Sequence, residues 1–193
     1  MSPNPGNRRT LYLLAAIFFV PLIVSFAMYY GGTWRPVGKT NHGELVDPAR
    51  PLPALPLPQF GSDAPIDALR GKWSLVYIGA GSCDASCRQA LLVMRQTRLS
   101  LNNEMDRVER VLLATSECCD KQFLDTQHRG LIAVDASGAA ALPLIALFPQ
   151  DARDEQVFVV DPRGNLVMRY DTRAAPKGLL EDLKKLLKLS HIG

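Results

Sequence analysis

The 193-residue chain has no HExxH pair, no GxSxG elbow and no glycine-rich phosphate loop. Hydrolase and nucleotide chemistry of those kinds therefore have no foothold. No segment recurs at a fixed period and no long polar low-complexity tract occurs, so a repeat architecture is excluded. Nor is there a basic face. The formal net charge is +3, from 22 Lys and Arg against 19 Asp and Glu, and Arg8, Arg9 and Arg35 are the only charged residues up to position 35. Without those three arginines the two signs balance. A nucleic-acid binder draws most of its affinity from phosphate neutralisation, and this composition excludes nucleic acid as a partner.

Charge is missing altogether from Leu11 to Tyr30, LYLLAAIFFVPLIVSFAMYY. At 1.5 Å per residue a helix here is about 30 Å long, the thickness of a bilayer's hydrocarbon core. Pro21 would break a soluble helix but is tolerated in a membrane. Arg8 and Arg9 precede the span, while Tyr29, Tyr30 and Trp34 cluster at its far end. That asymmetry puts the N-terminus in the cytoplasm and the bulk of the chain outside. Ser25-Phe26-Ala27 also suits signal cleavage, and either outcome leaves the domain in the same compartment. The organisation read from the sequence is a cytoplasmic N-terminus over 1–10, a transmembrane helix over 11–30, a proline-rich linker over 31–60 and one domain over 61–193. In the linker Pro36, Pro48, Pro51, Pro53, Pro56 and Pro58 favour an extended spacer; an irregular stretch packed on the domain is the other reading.

Within the domain, KWSLVYI (72–78) predicts a buried strand that breaks at Gly79-Ala80-Gly81. Residues 82–101 predict a helix with Leu91, Met94, Arg98 and Leu101 along one stripe and Leu92 and Leu99 beside it. Strands follow at 108–115 and 131–135, and a helix limited by Pro143 at 139–148. Strands at 156–160 and 165–170 flank the turn Asp161-Pro162-Arg163-Gly164. An amphipathic helix over 177–189 closes the chain. The fold class is α/β: a mixed sheet with helices on both sides, ending in the hairpin and helix expected of a thioredoxin-like fold.

All four cysteines belong to this domain. Cys83 and Cys87 lie where the first strand turns into the first long helix, and a helix N-terminus favours thiolate over thiol. A four-residue step suits chelation of a soft ion such as Cu(I) as well as a disulfide. The pair is thus a candidate metal site, a candidate redox pair, or an inert bridge. Cys118 and Cys119 follow the second strand and are further candidate ligands or disulfide partners, as is His128. His42 and His191 are assigned ordinary exposed roles.

The run Leu69-Arg70-Gly71-Lys72 before an apolar strand, the CxxxC loop of Gly79 to Cys87, and VFVVDPRG (157–164) resemble the Sco/SenC family, membrane-tethered thioredoxin-fold proteins of cytochrome c oxidase assembly. The likeness runs from Leu69 to about Leu187, with the anchor and its orientation in agreement. It implies that Cys83 and Cys87 bind or deliver copper. The implied partners are the membrane and a respiratory oxidase subunit or another copper or thiol assembly factor. The implied place is the periplasmic, or equivalent extracytoplasmic, side of the inner membrane. The resemblance is that of a divergent member. The family's histidine falls near Arg153 here, yet no histidine stands between Arg129 and Ser190, and Asp84 replaces the proline after the first motif cysteine. A tethered thiol–disulfide oxidoreductase and a non-catalytic interaction module are the alternatives.

Overall fold

The structure, a computed structural model, describes residues 5–31, 41–62, 64–117, 121–151, 153–174 and 176–190. The chain divides into two compact units, residues 1–40 and 41–193. The first holds one helix, α1 (Pro5–Tyr30), which begins upstream of the two arginines and passes through Pro21 without ending. Its stretch Arg9–Tyr30 has a mean hydropathy of 2.5 and is long and apolar enough to cross a membrane. Its leucines, phenylalanines and tyrosines are exposed. Apolar side chains exposed over a whole helix call for an apolar solvent.

The second unit is built on a six-stranded sheet. Its strands are β1 (Glu44–Pro51), β2 (Trp73–Gly79), β3 (Val108–Ala114), β4 (Leu131–Asp135), β5 (Gln156–Val160) and β6 (Asn165–Asp171), ordered β1-β6-β5-β2-β3-β4. β2, β3 and β4 run parallel, while β5, β6 and β1 pair antiparallel. Every residue of β2 is buried; a central strand covered on both faces has no use for alternation, hence its unbroken apolar run. β6 instead alternates between buried and half-buried positions.

Helices α2 (Ala85–Leu99), α3 (Lys121–Gln127), α4 (Leu142–Ile145) and α5 (Pro176–Leu189) complete the unit. On one face Leu91 and Met94 of α2 and Leu179 and Leu183 of α5 pack onto Leu75, Leu112 and Val159. α2 buries Cys87, Ala90, Leu91, Val93, Met94 and Thr97, so Leu91 and Met94 of the predicted stripe face the core, with Leu101 buried just beyond the helix, while Leu92 and Leu99 are exposed. The other face is covered by Leu144 of α4, Phe148, and Leu52, Leu57, Ala68 and Leu69. The thioredoxin-like mixed sheet with flanking helices is as expected.

The linker reading of 31–60 is corrected over its second half. Residues 44–51 form edge strand β1 on β6, Leu52 and Leu57 are buried, and Leu57 bridges to Ile66. Proline is barred from central strands but not from an edge, where its missing N–H faces no partner. The pairing accommodates Asp47-Pro48 through a register shift between Leu45 and Arg50. The strand is further held from α5: the N–H groups of His42 and Gly43 donate to Asp182 Oδ2 at 2.6 and 2.9 Å, and the His42 ring meets Glu181 at 2.9 Å.

The turn between β5 and β6 is closed by Asp161, whose Oδ1 accepts from the N–H groups of Arg163 and Asn165. Gly164 takes φ +85°, where a Cβ would strike the Arg70 guanidinium. Arg70 donates to Arg163 O and to Leu52 O, and the Gly71 N–H to Pro162 O. The Leu69–Lys72 motif is therefore the clamp between β2, the hairpin turn and the segment after β1.

Candidate thiol site

β2 delivers the chain to Gly79, and the reversal that follows makes Cys83. Cys83 N–H donates to Ala80 O at 3.1 Å, and Cys83 adopts φ +47°. That left-handed conformation costs an L-residue about 1–2 kcal/mol. Asp84 then caps α2, its Oδ1 accepting from the Cys87 N–H at 2.9 Å. The cap starts the helix at Ala85 and puts Cys87 in its first turn. In this arrangement Cys83 and Cys87 are joined as a disulfide, their Cα atoms 5.0 Å apart.

The corner does not open its cysteines to solvent. Cys83 is 6% exposed and Cys87 1%, both packed within the core that α2 and α5 share with the sheet. The positive φ turns Cys83 back over the helix start. Arg88 covers it further, its Nε donating to Cys83 O and its guanidinium lying 5.0 Å from the Phe123 ring centroid. Of the two sulfur-bearing residues, Cys83 keeps the larger access.

One neighbour escaped sequence reasoning, and two that it had singled out gain a structural role. Tyr77, buried beneath the turn, donates to Asp154 O at 3.2 Å. Burial raises its phenol well above the ordinary range, and the charges of Asp84 and Asp154 raise it further. Asp84, read from the sequence only as the residue in place of a proline, is the cap of α2. Arg153, at the place of the resembled family's histidine, sits in a one-turn helix (Arg153–Glu155) that packs on α2 and β2. Arg153 and Asp154 line, with Gly79, Ala80, Thr115 and Ser137, an open groove of about 600 Å³ at the carboxyl ends of the parallel strands, where open α/β sheets bind ligands.

His128 does not join the pair. It is buried, its ring 4.8 Å from that of Phe123, so Phe123 and Arg88 lie on the way from it to Cys83. Burial, then Arg110 and Arg95, hold its imidazole below the usual range. Among the described residues no three His, Cys, Asp or Glu side chains gather as a metal-binding group. Cys118, Cys119 and His191 lie outside the described residues. The segment leading to the vicinal pair is anchored at Ser116, whose Oγ accepts from the Gly81 N–H at 3.0 Å.

No curated protein matches the chain. Among solved structures it is similar to the apo Sco1 protein of Thermus thermophilus at 16% identity, covering 78% of this chain and 99% of that one with a TM-score of 0.57. Arabidopsis thaliana ScoI with copper bound matches at 15% identity, with 72% and 99% covered and a TM-score of 0.57. BsSco, a Sco-family cytochrome c oxidase assembly protein in which a disulfide switch was identified, matches at 13%, with 74% and 96% covered and a TM-score of 0.52. These likenesses establish a Sco-like fold. A family model covers residues 73–190, from the first core strand to the end of α5, and the chain belongs to that family, the transmembrane-like, thioredoxin-like C-terminal domains.

Proposed function

We propose that the chain is a membrane-anchored, Sco-like assembly factor that exchanges its Cys83–Cys87 pair with cysteines of a respiratory oxidase subunit or of another copper or thiol assembly factor. The domain works on the periplasmic, or equivalent extracytoplasmic, side. The observation that carries the reading is the disulfide closed across the start of α2. In the reduced form the Cys83 thiolate attacks one sulfur of a partner disulfide, forming a mixed disulfide and releasing a partner thiolate. The Cys87 thiolate then attacks the Cys83 sulfur, closing the domain's own disulfide and releasing the second partner thiolate. Two electrons pass to the partner, and the protons shed by the two cysteines end on the partner's thiols. The greater access of Cys83 and its place ahead of the helix favour it as attacker. Full-length Cys87→Ser should accumulate a mixed disulfide with a partner under thiol trapping, and Cys83→Ser should not. Equal yields from both variants, or none from either, would sink the exchange.

A second reading is favoured by the same two sulfurs: once reduced, they sit on one turn and suit a soft ion carried as cargo. Neighbours of this fold with copper bound support it. An anaerobic Cu(I) titration of the reduced chain tests it, with retention expected to vanish in Cys83→Ser or Cys87→Ser. A chain whose oxidase assembly is indifferent to both serine variants would be an interaction module only.

A further inference from the structure

The far end of α2 carries an arrangement that thiol chemistry does not use. Arg110, on β3, is 3% exposed. Its Nη2 donates to Arg129 O at 2.7 Å, but Nε and Nη1 meet no acceptor. Three N–H bonds of a buried cation are thus unspent. A buried charge without a partner is costly enough that proteins pair it or neutralise it. Here the neighbours make matters worse. A pocket of about 180 Å³ opens beside Arg110, lined by Arg95, Arg98, Thr126, Gln127 and Arg129. That volume is far above the roughly 10–15 Å³ that one water needs. Only Arg98 has a carboxylate, Asp106 at 3.6 Å, and its Nε is turned to Val108 O. Among the described residues no carboxylate lies within ion-pair distance of Arg95, Arg110 or Arg129. Burial, then Arg98 and Arg95, bring the Arg110 guanidinium down to about 10, which still leaves it cationic at neutral pH.

Four guanidiniums converge from β3, α2 and the turn after α3, and no acid lines the pocket. We propose that this pocket binds one phosphate-class oxyanion, either free or as the head group of an anionic phospholipid, with Arg110 as its buried anchor and Arg95 and Arg129 as its outer clamps. A planar carboxylate would engage one guanidinium well. A tetrahedral phosphate group presents oxygens in more than one direction and matches donors arriving from three elements. From Ala85 to Arg98 the helix rises about 20 Å, so the site is separate from Cys83 and Cys87, and its occupancy stands apart from the exchange proposed above.

The test uses the full chain in an uncharged detergent at constant ionic strength. Inorganic phosphate and short-chain phosphatidylglycerol are titrated separately by calorimetry, with short-chain phosphatidylcholine as the control. Saturable 1:1 binding of phosphate or of phosphatidylglycerol is expected, and the tighter of the two identifies the source. Arg95→Gln/Arg129→Gln, both exposed positions, should keep the fold and weaken binding at least tenfold; Arg110→Gln should abolish it. Should Arg110→Gln fail to fold, the double variant decides alone. No saturable binding of either probe, or equal binding by the double variant, overturns the site.

Discussion

Asp84→Asn isolates how the charge of the helix cap bears on the reactivity of the pair. Asparagine caps a helix as well as aspartate does, so the substitution keeps the bond to the Cys87 N–H at 2.9 Å and removes only the charge. Residues three apart on a helix are about 5–6 Å from each other. A carboxylate about 6 Å from a thiolate, in an effective dielectric of about 40 for this exposed side chain, repels it by about 1.4 kcal/mol. That is a tenfold change in thiolate at a fixed pH below its midpoint. A more stable thiolate is also a poorer nucleophile, by a Brønsted factor near 0.4–0.5, so the net gain in alkylation rate is about three- to fourfold. The assay reduces the chain, pulses it with iodoacetamide at pH 6, and reads modification of the peptide bearing Cys83 and Cys87 by mass spectrometry. A thermal melt checks that the cap still holds. An unchanged or slower rate in a chain of unaltered stability refutes the view that Asp84 opposes the helix dipole at this corner.

Two further outcomes follow from the packing. Asp182 is buried and binds the N–H groups of His42 and Gly43 through Oδ2; Asp182→Ala should cost about 2–3 kcal/mol in urea unfolding and Asp182→Asn clearly less, since the amide oxygen still accepts. The His128 imidazole is held low by burial, Arg110 and Arg95, so the unfolded chain binds a proton that the native state refuses. Its contribution to stability is therefore full above the unfolded value of about 6.5, falls as pH drops below it, and levels off beneath the native value; His128→Gln should flatten the stability profile just below about pH 6.5, and an unchanged slope would contradict this.

How much of this was legible in the chain depends on what each residue must satisfy. The strands from 73 onward announce themselves because both faces of β2 and β3 are covered, leaving no place for polar residues except at their ends. The Cys83–Cys87 pairing was open to reading from its spacing, but its burial was not: φ +47° at Cys83 is a backbone fact with no signature in residue type. β1 was hidden because proline argues against strands in general, whereas an edge strand with a register shift tolerates it. Asp182 and Arg110 are harder still. Each looks like a solvated charge in an amphipathic pattern, and only the fold shows one capping a distant strand and the other enclosed among cations.

The exchange proposed for this corner draws on the start of α2, which offers positive charge to a thiolate. Where the resembled family has an imidazole that can hold a soft ion, this chain has Arg153, in a turn packed on α2 and β2. A guanidinium has no lone pair to give a metal, so arginine at that position withholds the ligand that the resemblance would supply. Asp84, the other departure from the resembled pattern, turns a carboxylate oxygen to the Cys87 N–H as the cap of α2. Arg153 thus adds nothing to a metal cage and Asp84 is engaged at the helix start, which leaves the two cysteines to carry the proposed exchange.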